Sequence, residues 1–131
     1  MILDSSAIVA IVREEAGWER LYEVMATAES LSMSAASYVE MGVVVDNADD
    51  PSLSRRLDHL LERAGVEIAA VDAGQARLAR AAHRDFGRGT GHPARLNFGD
   101  CFSYALATQR RDSLLFVGDG FGHTDVRPPG R

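Results

Sequence analysis

Apolar residues along this chain switch repeatedly between short continuous runs and a spacing of three to four, which predicts strands followed by helices. Met1-Ile2-Leu3 is a short apolar run ending at Asp4, with Ser5 and Ser6 placed to cap the helix behind it. Ala7 to Val12 is apolar on every side, as a buried helix would be. Trp18, Leu21, Tyr22 and Met25 form an amphipathic stripe. Ser30 to Ser34 alternates with period two and reads as a strand. Ser34 or Ser37 then opens a helix carrying Glu40, whose Val43-Val44-Val45 run also fits a strand.

After a turn at Asn47 to Pro51, Leu53, Leu57, Leu60, Leu61 and Ala64 predict an amphipathic helix closed by Gly65. Val66 to Val71 reads as a strand, and Asp72 caps a helix running to about Phe86. Gly87 to Pro93 is a loop, Asn97 opens a helix through Arg111, and Leu114 to Val117 is a buried strand. Thr124-Asp125-Val126 is a candidate edge strand before a Pro/Gly tail. The alternation predicts an α/β fold, a mostly parallel sheet of four to five strands flanked by helices, in one domain over residues 1–131.

Composition narrows the possibilities. No apolar stretch approaches the roughly 20 residues of a membrane helix, and Met1-Ile2-Leu3-Asp4 lacks the basic start of a secretory signal. The one cysteine, Cys101, cannot form an internal disulfide or a multi-cysteine zinc site. A cytoplasmic protein without membrane contact is expected. The net charge of −5 argues against nucleic-acid binding by charge alone. All 14 basic residues are arginine, so mechanisms that require lysine are excluded, among them receiver-domain phosphotransfer and Walker-type nucleotide binding.

In open α/β sheets, ligands sit beyond the carboxyl ends of the strands. Asp4 and Asp119 lie at two such ends, Glu40 about one helical turn past a third, and Asp100 in the first turn of its helix. If the first strand and the Leu114–Val117 strand are neighbours, the four acids face one crevice. Two carboxylates about 5 Å apart repel by roughly 3 kcal/mol at an effective dielectric near 20. Four together call for a proton or a cation. Oxygen ligands select hard ions, so Mg²⁺ is expected, with Mn²⁺ as a substitute. Such an ion suits phosphodiester cleavage.

Each acid also has a plainer role. Asp4 is a competent helix cap, Asp100 can complete a reciprocal cap with Asn97, Glu40 can be a solvated helix residue, and Gly118-Asp119-Gly120 has the composition of a tight turn. It is their shared position at strand exits that favours function. Ser6 stands where a haloacid-dehalogenase-like phosphatase needs a second aspartate, and Ile8 breaks an Asp-x-Ser-x-Ser metal site.

The phrases Met1-Ile2-Leu3-Asp4-Ser5-Ser6-Ala7, Leu96-Asn97-Phe98-Gly99-Asp100-Cys101 and Leu114-Leu115-Phe116-Val117-Gly118-Asp119-Gly120-Phe121, with Glu40 between them and Thr124-Asp125 after, carry a specific resemblance. The chain resembles the PIN-domain ribonucleases, in particular VapC-type toxins of toxin–antitoxin pairs. The resemblance implies Asp4 and Asp100 as principal Mg²⁺ ligands, Glu40 completing the acidic site, and Asp119 assisting through metal or water. It implies Ser6 as a polar group at the rim, an RNA substrate, a cognate VapB-type antitoxin and a homodimer.

Among the remaining residues, His59, His83, His92 and His123 have no metal-ligand spacing and read as surface groups. Cys101 reads as an inward-packing side chain. Arg88 and Arg95, on the loop that leads into Asp100, are the candidate substrate-binding arginines. The function expected is a Mg²⁺-dependent endoribonuclease toxin. The competing readings are a PIN-like nuclease of RNA maturation or DNA processing, and a binding module that keeps the fold without catalysis.

Overall fold

In the computed structural model, which describes residues 1–130, four short strands form one parallel sheet. They are β1 (Ile2–Leu3), β2 (Ser32–Ser34), β3 (Glu67–Ala69) and β4 (Leu114–Leu115), in the spatial order β3-β2-β1-β4. Six helices join them: α1 (Ser5–Val12), α2 (Trp18–Ala26), α3 (Ala35–Asp46), α4 (Pro51–Arg63), α5 (Ala73–Phe86) and α6 (Phe98–Arg110). Parallel pairing demands such crossovers, and it buries both faces of the sheet.

That two-sided burial is visible in adjacent residues, which point to opposite faces of a strand. Ile2 and Leu114 pack with Ala79, Leu96, Ala105 and Leu106 on the α5–α6 side. Leu3 and Leu115 pack with Ile8, Met33, Met41 and Leu57 on the α1–α4 side. The register Ile2–Leu114 and Leu3–Leu115 makes β1 and β4 direct neighbours, as the clustering of acids required. The order of connection reverses between β1 and β4. Open sheets form their ligand crevice at such a switch point.

The structure corrects several boundaries. Of the cap candidates offered for α1, Asp4 is the one used, accepting the Ser6 N–H at 3.0 Å, and Ser5 and Ser6 lie inside the helix. Ser34 caps α3, and Val43-Val44-Val45 continue that helix, because Val45 is drawn into the core. The last strand stops at Leu115, two residues early. The Val117 N–H is taken by Ser6 Oγ at 3.0 Å, and Gly118 turns the chain with φ at +100°. Thr124-Asp125-Val126 is not a strand among the described residues. A single 3₁₀ turn, Phe121–His123, precedes it, and the Thr124 hydroxyl bonds back to the Phe121 carbonyl at 2.7 Å. Among the described residues the sheet therefore has four strands and no fifth.

Candidate active site

Three of the acids singled out in the sequence reach one cavity of about 330 Å³ beyond the β1 and β2 ends, each delivered by a different local device. Asp4 is the first residue past β1, its backbone N–H still bonded to Leu115 O at 2.9 Å. Its side chain is only 3% exposed. Oδ2 accepts the Ser6 N–H, and Oδ1 accepts the Ser103 hydroxyl at 2.6 Å. A buried carboxylate needs such donors, or the charged form is heavily penalised.

Asp100 stands third in α6 and closes a reciprocal cap. Asn97 Oδ1 accepts the Asp100 N–H at 2.8 Å, and Asp100 Oδ2 accepts the Asn97 N–H at 3.0 Å. The plainer role foreseen for this acid is thus real, yet it coexists with the other one. One oxygen holds the helix start while the residue lines the cavity with Asp4 and Glu40.

Glu40 rises from the middle of α3, one turn after Ser37 and on the same face as Val44. Its carboxylate lies over Gly99 in the first turn of α6. The positive end of the helix dipole favours an anion there.

The electrostatics show how tightly the three acids are coupled. Burial pushes the Asp100 carboxyl up to about 6, and the negative charges of Asp4 and Glu40 push the same way, against the Asn97 hydrogen bond and the Arg88 guanidinium. Glu40 is also raised, by burial first and by Asp4 second. Yet among the described residues, no three His, Cys, Asp or Glu side chains are already drawn together as a finished metal cage. The donor set fits a hard divalent ion in its chemistry: it is all carboxylate, with Ser6 and Asn97 beside it and no nitrogen or sulfur ligand.

The remaining sequence candidates divide. Ser6 lines the cavity, with its hydroxyl tied to the exit of β4. Arg88 is exposed and near enough to Asp100 to pull its carboxyl down. Arg95 is exposed on the same loop, in a left-handed conformation with φ at +49°. Asp119 is exposed on the bend after β4 and is not brought into the cavity lining. Of the four acids expected to meet, Asp4, Glu40 and Asp100 line the cavity.

Glu15, which no motif singled out, also lines the cavity, where α1 hands over to α2. Its signal in the sequence was nil, since it sits in an ordinary charged turn. Cys101 is buried, with its thiol pushed up to about 11 by burial and by Asp100, so it packs and does not react. His59, His83 and His123 are exposed, and His92 Nδ1 accepts the Ala94 N–H at 3.1 Å.

Comparison with known proteins agrees with this geometry. Residues 1–126 match the model of the PIN domain family. The chain belongs to the PIN domain family. It is 54% identical to ribonuclease VapC28 of Mycobacterium tuberculosis over 127 residues, which is 97% of this chain and 96% of that protein. Among solved structures it is similar to VapBC2 from Rickettsia felis, bound to a DNA fragment from the promoter (TM-score 0.74, 16% identity, 97% of this chain and 94% of that one). It is also similar to VapC20 of Mycobacterium tuberculosis, a toxin that cleaves the sarcin–ricin loop (TM-score 0.71, 16% identity, 97% and 98%).

Proposed function

We propose that this chain is a divalent-metal-dependent endoribonuclease, the toxin of a toxin–antitoxin pair. The observation that carries the reading is the meeting of Asp4, Glu40 and Asp100 on one cavity at the β1–β4 switch point, in a chain 54% identical to a VapC ribonuclease. In this reading residues 1–131 make a single cytoplasmic PIN domain.

Asp4 and Asp100 are the proposed metal ligands, with Mg²⁺ as the ion and Mn²⁺ as its substitute. When bound, such an ion neutralises phosphoryl charge and lowers the pKa of a ligated water. Asp4 contributes a carboxylate held in place from two sides, by the Ser6 N–H and the Ser103 hydroxyl. Glu40, raised and cavity-facing, is placed to accept a proton from the attacking water. Ser6 and Asn97 line the approach, and Arg88 and Arg95 supply the positive charge that a net-negative protein needs to meet an RNA backbone. Asp119, exposed beyond the lining, is left an auxiliary part at most.

The antitoxin is proposed to be VapB-type. A groove of about 580 Å³ between α1, α2 and α4 combines Trp18, Tyr22 and Leu60 with Arg55 and Arg63, while Arg56 is paired there with Glu14 at 2.8 Å, and the two remaining arginines suit an acidic, apolar segment. A homodimer is proposed through the outer face of α3, where Val39 and Val43 are 61% and 55% exposed.

The test is cleavage of RNA by purified protein with and without chelator, for wild type, Asp4→Asn and Asp100→Asn. Asp4→Asn keeps a capping side chain for the start of α1, and Asp100→Asn keeps a side-chain oxygen to accept the Asn97 N–H, so both variants should fold. Chelation and either substitution are expected to abolish cleavage. Wild-type rates from Asp100→Asn would remove the mechanism.

A further inference from the structure

Two hydroxyls outside the acidic set are built into the same site. Ser103, on α6, is 0% exposed, and Ser37, on α3, is 1% exposed. The Ser103 hydroxyl lies 2.6 Å from Asp4 Oδ1, and the Ser37 and Ser103 hydroxyl oxygens lie 3.1 Å apart. An ionised carboxylate can only accept, so the Ser103 proton is committed to Asp4. Ser103 Oγ is then left to accept, which makes Ser37 the donor of that pair. The direction of the chain, Ser37 to Ser103 to Asp4, follows from valence alone.

Helix geometry shows why these positions matter. Ser103 is three residues beyond Asp100 on α6, and Ser37 three before Glu40 on α3, so each hydroxyl shares a helix face with an acid of the cavity. A hydroxyl buried between packed helices is costly unless bonded. Here both are bonded, and the chain ends on the most buried of the three acids. With the Ser6 N–H on Oδ2, each Asp4 oxygen accepts one bond from the protein and keeps a further lone pair.

We propose that Ser103 is a positioning residue for metal binding, and that Ser37 sets the direction of its hydroxyl, so that the Ser37–Ser103–Asp4 chain fixes the carboxylate in its ligating orientation. This rests on the metal-nuclease reading above. Outer partners of metal ligands are worth about 10–100-fold in affinity.

The experiment is calorimetric titration of Mn²⁺ into wild type, Ser103→Ala, Ser103→Cys and Ser37→Ala, with metal-free thermal unfolding of each. Ser103→Ala is expected to weaken Mn²⁺ binding about 10–100-fold. Ser103→Cys keeps the size but donates weakly, so it should stay near the alanine variant. Ser37→Ala leaves the Ser103 proton in place and should fall between wild type and Ser103→Ala. Wild-type affinity in Ser103→Ala, or its recovery in Ser103→Cys, would show that only packing mattered and would overturn the proposal. If Ser103→Ala does not fold, the cysteine and Ser37 variants decide, and unchanged affinity in both overturns it. Absence of any saturable site in wild type is a separate outcome, which removes the metal reading and this proposal with it.

Discussion

The Glu40 carboxylate lies so close to Gly99 that a Cβ built on the glycine would overlap both of its oxygens. The glycine of the Asn-Phe-Gly-Asp phrase is thus not needed for backbone freedom, since its φ is not positive. It is needed for room. Gly99 is buried on the first turn of α6, and the obstructing atoms are the far end of a flexible side chain.

Gly99→Ala should therefore separate stability from activity. Alanine is favoured over glycine in a helix by about 1 kcal/mol, and Glu40 can swing aside, so the fold should be kept. The carboxylate, however, leaves its place. A displacement of about 1 Å can cost on the order of a hundredfold in rate. Thermal unfolding no lower than wild type, with RNA cleavage reduced by about that factor, is the expected pair of results. Unimpaired cleavage would show that Glu40 has no positional duty.

Asp100 gives a pH dependence with a definite sign. Its carboxyl is raised to about 6 in the folded, metal-free protein, first by burial, against 3.8 ordinarily. The folded state thus binds the proton more tightly than the unfolded chain does. Ionisation at pH 7 costs stability, and the cost disappears as pH falls through about 6 toward 3.8. The neutral variant Asp100→Asn should be more stable than wild type at pH 7 in the presence of chelator. The gap in melting temperature should close by about pH 4. A gap of constant size across that range would mean that Asp100 is not held against charge.

Much of this was legible in the sequence, because the informative signals were local. The Asn97–Asp100 spacing of three states a reciprocal cap outright, and the structure contains both of its bonds. Alternating strands and helices predicted a parallel sheet but not its order, so the neighbouring of β1 and β4 entered only as a condition, which the pairing of Ile2 with Leu114 meets. Val43-Val44-Val45 was ambiguous because β-branched residues suit either structure when the deciding contacts are remote. Burial of Val45 in the core settled it as helix. Ser37 was read only as an alternative start for the Glu40 helix, and Ser103 carried no signal at all. A serine in a helix reads as an ordinary solvated position, and their role depends on a contact across 66 residues of chain. Asp119 shows the opposite failure. A motif position suggested it for the site, while the structure leaves it on the exposed bend after β4, outside the cavity lining.

That placement of Asp119 can be checked directly. If Asp119 takes no part in holding the ion, Asp119→Asn should bind Mn²⁺ with an affinity within about threefold of wild type, below the roughly 10–100-fold expected of even an outer partner. Asp4→Asn in the same titration should lose more than that range. Calorimetry of the two variants side by side decides the matter, and a collapse of binding in Asp119→Asn would restore the fourth acid.

Arg88 is the arginine whose charge is felt at the site, since it pulls the Asp100 carboxyl down. It is exposed and makes no salt bridge to any acid among the described residues, so its guanidinium is available to a phosphate. Each phosphate contact on a single strand contributes about 0.7 to the slope of log affinity against log salt. Arg88→Ala should reduce that slope by about this amount and weaken RNA binding at low salt, with Asp4→Asn as the background to prevent cleavage. Arg84→Ala is the control, because Arg84 is already paired with Asp85 at 3.0 Å. An equal change of slope in both variants would mean that the RNA senses overall charge and not a contact at Arg88.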